Sequence, residues 1–168
     1  MSKKPAKAAV SPRVGLAFLL SQVGAYAATL FAERLAPLGL KPYDAGILRI
    51  LERNSGLTQT ALCGILGMFP SRLVMILDGL VRRRLIERGA HSSDRRSHVI
   101  HLTEEGHATA AAIEHLTDEL ERDLFAKLTK GNVDHLCRTL KSLVTQHGIS
   151  PGVHPAYRQL AEGRGRKI

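Results

Sequence analysis

Between Leu85 and Leu102 the spacing of apolar residues changes, and this change constrains the fold more than any other feature of the chain. On either side of it Leu, Ile, Val and Ala recur at intervals of three and four, the mark of helices with one buried stripe. Inside it, LIERGAHSSDRRSHVIHL holds two short runs, Leu85–Arg88 and Ser97–Leu102, around a polar loop at His91–Arg96. In the second run Val99 and His101 alternate with His98, Ile100 and Leu102, as in a hairpin strand. With aromatic residues at only 4% and no Trp, the core must come mainly from aliphatic side chains, which suits helices packed on helices. The expected class is mainly α with one small β-hairpin.

About six helices follow from the pattern. The first is expected from about Arg13 to Ala36, with Leu16, Leu20, Val23, Ala27, Leu30 and Phe31 on one stripe. The second begins in GLKPYDAGILRILER, with Pro42 in its first turn and Ile47, Leu48 and Leu51 inward; Asn54-Ser55-Gly56 ends it. Thr58 reads as the N-cap of a short third helix holding Ala61, Leu62, Ile65 and Leu66. Gly67 breaks the pattern, and a fourth helix from about Pro70 to Arg84 buries Leu73, Ile76, Leu77 and Leu80. Thr103 caps a long fifth helix with Ile113, Leu116, Leu120, Leu124 and Leu128 on one side. Glu104 and Glu105 sit in its first turn, where the helix dipole favours carboxylates. Gly131 is expected to interrupt, and Val133, Leu136, Leu140 and Leu143 mark a sixth helix ending near Gly148.

At 168 residues one compact domain is the default. Its expected bounds are 13–148, between a basic arm at 1–12 and a basic, Gly- and Pro-containing tail at 149–168. The net charge of +9, with a pI near 10.1, points to polyanions, nucleic acid first and anionic membrane second. That charge is uneven. Residues 82–101 carry six arginines against Glu87 and Asp94, whereas residues 104–123 carry seven acids against Arg122 alone. The basic start MSKKPAKAAVSPRVGLAFLL imitates a signal peptide, but its apolar residues keep helical spacing beyond Leu30. No run of 18 uninterrupted apolar residues occurs, so neither a membrane span nor a membrane partner is expected. Two cysteines, Cys63 and Cys137, make no disulfide framework, and a cytoplasmic location is expected.

Two short helices joined by a tight Gly turn and followed by a basic hairpin form a winged helix-turn-helix pattern. The second helix of such a pair can enter the major groove while the hairpin reaches a neighbouring groove. The segment LTQTALCGILGMFPSRLVMILDGLVRRRLIERG, the wing string DRRSHVIHLTEEG and the preceding GLKPYDAGILRIL together resemble the MarR (multiple-antibiotic-resistance) family of bacterial transcription factors, over about residues 38–106. The resemblance implies a reading head at about 40–102 and a homodimer built from the helices at about 13–36 and 103–147. It places Phe69, Pro70, Ser71, Arg72, Val74 and Met75 on or near the DNA-facing edge of the fourth helix. Asp94 would orient the Arg96 guanidinium as the wing pair, and Arg95 and Arg88 would support phosphate binding. Arg82–Arg84 read either as a solvated helix end or as DNA contacts.

Three departures from the family pattern stand out. Phe69 occupies an N-cap often filled by Ser, Arg84 a helix end commonly filled by Gly, and Val74 and Met75 positions that are often polar or basic. The reading surface is therefore poor in donors apart from Ser71 and Arg72, and Arg72 is expected to do most of the base reading. The partners implied are double-stranded DNA and a second copy of the chain. A small organic anion, often a phenolic acid in this family, is implied as effector, near Tyr26, Arg49 and His107. No cofactor is expected. Rival readings are a metal- or redox-responsive regulator and a non-specific architectural binder. The eight histidines are scattered, and no nucleophile-base cluster, HExxH or phosphate-cradling Gly loop is evident, so no enzyme is expected. His107 and His115 lack a partner at Ala111 for an i,i+4 zinc pair, His98 and His101 point to opposite strand faces, and both cysteines read as buried small hydrophobes.

Overall fold

The computed structural model describes residues 14–90, 98–150, 152–154 and 157. Helix α1 (Leu16–Leu35) runs into a single 3₁₀ turn at Ala36–Leu38, and α2 (Pro42–Arg53) follows. A two-residue strand β1 (Leu57–Thr58) leads into α3 (Gln59–Leu66) and α4 (Pro70–Arg82). Strands β2 (Ile86–Ala90) and β3 (His98–Leu102) precede α5 (Glu104–Leu124) and α6 (Lys130–Gln146). The sheet is antiparallel in the order β1-β3-β2, with Leu57 opposite Ile100 and Ile86 opposite Leu102. Sequence spacing did not reveal β1, which is too short to show a period and exists because β3 offers it an edge.

The core is one cluster of aliphatic side chains. Leu35, Ile47, Leu48, Leu62, Leu66, Leu73, Leu77, Leu80, Ile86, Ile100 and Ile113 are fully buried in it. Each contributes roughly 2 kcal/mol by leaving water, and together they fix α2, α3 and α4 against the sheet and α5.

Local chemistry sets the boundaries. The Thr58 hydroxyl accepts from Ala61 N–H at 3.2 Å, and Gly67 ends α3 with φ at 62°. Thr103 makes two bonds: its hydroxyl donates to the Arg84 carbonyl at 2.5 Å and accepts from Gly106 N–H at 3.0 Å. The sixth helix corrects one expectation. Gly131 does not interrupt but lies inside the first turn of α6, whose N-cap is Thr129, accepting from Asn132 N–H at 3.4 Å. The break is at Phe125–Thr129, so Leu128 follows α5 instead of extending its stripe.

Arg84 is the one non-glycine residue with positive φ among the described residues, at 56°. An L-side chain there strains the backbone by about 1–2 kcal/mol. Arg84→Gly is therefore expected to stabilise the fold by about 1 kcal/mol, after allowing for the extra entropy of a glycine in the unfolded chain. Urea denaturation checks this, and a lower midpoint in the variant would contradict it.

The outer helices are covered least. In α1, Leu16 is 82%, Phe18 58% and Val23 52% exposed. Helix α6 buries no residue, and Leu128 and Leu143 beside and on it are exposed. The stretch Leu16–Leu38 is long and apolar enough, by length and composition, to cross a membrane, although it holds no run of 18 uninterrupted apolar residues. Among the described residues it is anchored at its C-terminal end, where Leu35 is buried and Arg34 pairs with Asp123 of α5 at 2.5 Å.

Candidate nucleic-acid interface

Helix α4 begins at the surface. Phe69 is its N-cap with no side-chain cap bond, and Pro70 occupies the first turn, where its missing N–H costs nothing. Phe69, Pro70, Ser71 and Met75 are exposed, Met75 at 66%, whereas Val74 is half-buried. Leu73, Ile76, Leu77 and Leu80 point the other way into the core. The helix thus shows solvent a first turn of small, apolar and aromatic groups.

Arg72 sits between these two faces. It is half-buried and lines a groove of about 360 Å³ between α4 and the start of α2, with Lys41, Tyr43, Asp44 and Arg83. Its Nε is buried without a hydrogen-bond partner among the described residues. A buried guanidinium N–H left unpaired costs free energy until it meets an acceptor. Opposite it, the Asp44 carboxylate accepts from Lys41 N–H at 2.9 Å; burial nevertheless raises its pKa, against that bond and the charges of Arg83 and Lys41.

Two other arginines have structural work that the sequence did not disclose. Arg83 donates to the Leu38 carbonyl at 2.7 Å and to the Gly39 carbonyl at 2.9 Å, so it ties the end of α4 to the turn after α1. Arg83 is exposed at the helix end and has this bonding role besides. Arg88 on β2 donates to Asp78 of α4 at 2.6 Å, both side chains remaining partly exposed. That pair locks the hairpin onto the helix. The wing residues Asp94, Arg95 and Arg96 lie outside the described residues.

The suggested effector residues are spread out. Arg49 is exposed on α2 and lines a cleft of about 380 Å³ that opens between α1, α2 and the segment after α6. His107 is engaged elsewhere, its Nδ1 lying 2.7 Å from Glu52 Oε2. Tyr26 is 58% exposed on α1, and neither it nor His107 lines that cleft. Cys63 is half-buried on α3, and burial raises its thiol pKa, so less of it is thiolate at neutral pH. Cys137, expected to be buried, is exposed on α6 because that helix finds little of its own chain to pack against. No group of three or more His, Cys, Asp or Glu is placed to hold a metal ion among the described residues.

Comparison with known proteins agrees with this geometry. A sequence model of the MarR family matches residues 38–97. A transcriptional regulatory protein assigned to the hcr operon of Thauera aromatica is 30% identical over 113 residues, covering 67% of this chain and 68% of that protein. The reduced form of MarR from E. coli superposes with a TM-score of 0.71 at 25% identity, over 80% of this chain and 99% of MarR. The transcriptional repressor CouR, bound to a 23-mer DNA duplex, gives 0.69 at 32% identity, over 77% of this chain and 92% of CouR. Reading head, hairpin and flanking helices thus match in order and placement, and the chain belongs to the MarR family of winged-helix transcriptional regulators, which are not enzymes.

Proposed function

We propose that the chain is a ligand-responsive repressor that binds a pseudo-palindromic DNA operator as a homodimer in the cytoplasm. The observation that carries the DNA reading is the first turn of α4. It is exposed, its helix is tied at the opposite end to the turn after α1 and to β2 by the Arg83 and Arg88 bonds, and it carries Arg72, whose buried Nε has no partner among the described residues. Similarity to a repressor solved on a DNA duplex supports the same reading. The dimer is supported by α1 and α6, whose apolar faces are exposed together; a membrane span would account for α1 but not for α6. A two-fold dimer would set its recognition helices about 34 Å apart. The bound effector, in this reading, is a small organic anion. Metal sensing lacks a ligand cluster among the described residues, and the raised Cys63 pKa disfavours a thiol switch.

Selection from a randomised duplex pool at two salt concentrations tests the proposal. The expected product is an inverted repeat whose affinity falls steeply with salt. Retention without a consensus would instead indicate a non-specific architectural binder, and no retention at low salt would reject DNA as the partner. Arg72→Ala, carried through the same selection, is expected to relax the preference at one position per half-site. A lost base contact is worth about 1–3 kcal/mol. An unchanged consensus with affinity within twofold of the parent would remove Arg72 from base reading.

A further inference from the structure

Beyond α6 the chain turns at Gly148 and Gly152, with φ of 61° and 74°, and comes back to the start of α2. Val153 packs against the core, and Tyr157 is only 7% exposed. The phenol of Tyr157 lies directly on Gly46 of α2: a Cβ at Gly46 would collide with the hydroxyl and come within 2.8 Å of Cζ. The hydroxyl donates to the Pro42 carbonyl at 3.1 Å, and the ring meets His154 edge-on at 6.2 Å. Tyr157 thereby fills the Gly46 and Pro42 end of the cleft and borders the open remainder, which Phe31, Val144, Ile149 and Arg49 also line.

That cleft has apolar walls, a carbonyl acceptor at one end and one guanidinium on α2. Such a set suits a planar aromatic ring with a hydroxyl at one end and a carboxylate at the other. Tyr157 supplies the ring and the hydroxyl from within the chain.

We propose that Tyr157 is a tethered occupant of the Pro42 end of this cleft, a built-in phenol that a free hydroxyaryl carboxylate displaces to reach the Pro42 carbonyl while its carboxylate meets Arg49. The proposal rests on the ligand-responsive reading above. Its physical content is a competition: the apparent affinity for the free ligand falls by the fraction of molecules whose tail is undocked. With the tail docked about ten times in eleven, that reduction is about tenfold.

The test uses the full chain and 4-hydroxybenzoate. Ring-labelled tyrosine should give a nuclear Overhauser contact between Tyr157 and the Gly46 α-protons, and 4-hydroxybenzoate should abolish it. Calorimetry should show Tyr157→Ala binding the ligand about tenfold more tightly than the parent, with Tyr157→Phe in between. Gly46→Ala, which ejects the ring from the other side, should lose the contact without ligand. Equal affinity in parent and Tyr157→Ala would overturn the tether and leave the ligand reading intact. So would a contact that survives saturation, or one never seen. No binding to parent or variants at millimolar ligand would overturn the tether and hydroxyaryl carboxylates as the ligand class together.

Discussion

Gly106→Ala is expected to lower the stability of the fold by about 2–3 kcal/mol, although alanine is the better helix former. Two effects of opposite sign meet at this residue. Alanine in a helix gains about 1 kcal/mol over glycine. Against that, Gly106 is buried, and a Cβ there would run into the Leu85 carbonyl oxygen and approach the Leu102 Cβ to 3.2 Å. The obstacle is backbone, and it is held: the Leu85 carbonyl accepts from Thr103 N–H at 3.3 Å, and the Thr103 hydroxyl grips the Arg84 carbonyl beside it. Overpacking typically costs about 1–3 kcal/mol and exceeds that where the obstacle is held backbone, as here, so the clash wins. For a chain of this size the melting temperature should fall by about 5–10 °C. Gly131→Ala is the control, since nothing lies within 4 Å of the position a Cβ would take there. Its stability should be unchanged or slightly raised. If both alanines behave alike, the contact between α5 and the strand before it is looser than described.

The double substitution Leu20→Glu and Val23→Glu should convert the protein to a monomer at micromolar concentration. Both residues are about half exposed in the single chain, so the helical content and the core of the protomer should survive. What is lost is the apolar face on which a second copy would close. Half-site binding by two tethered heads gains a factor of about 10²–10⁴ over one head. Operator affinity should therefore fall by about a hundredfold or more, with circular dichroism unchanged. Light scattering and operator titration read the two effects separately. A dimer that persists with operator binding intact would place the two-fold interface elsewhere.

How much could be read from the sequence follows the range of the interactions involved. The caps at Thr58 and Thr103, the αL turn at Gly67 and the inward faces of α2 and α4 depend on neighbours within four residues, and spacing exposes them. Arg84 departs from a commonly glycine position, and the backbone there does adopt a positive φ. Gly131 looks like a breaker by residue type, but the Thr129 cap three residues before Asn132 sets the start of α6 and places Gly131 inside it. The site residues needed longer reach. The Arg83 clamp spans about 45 positions and the Tyr157 bond 115, and no local pattern announces either. Arg88, expected to support phosphate binding, also pairs with Asp78, because strand β2 lies against α4 only once the sheet has formed. Cys137 and the apolar face of α1 show the converse: their sequence promises burial that one chain alone does not supply.

The Arg83 clamp has a mechanical consequence. Its two bonds reach carbonyls at the turn where α1 ends, and α1 is the helix that carries the exposed apolar face. The C-terminal end of α4 is therefore pinned to the end of α1, in the manner of a short crank. Tilting one without the other would break both bonds and exchange them for water. In the proposed dimer, the angle at which two copies of α1 meet would then be transmitted as a separation between two copies of α4, with Leu38 and Gly39 as the bearing on which that gauge is set.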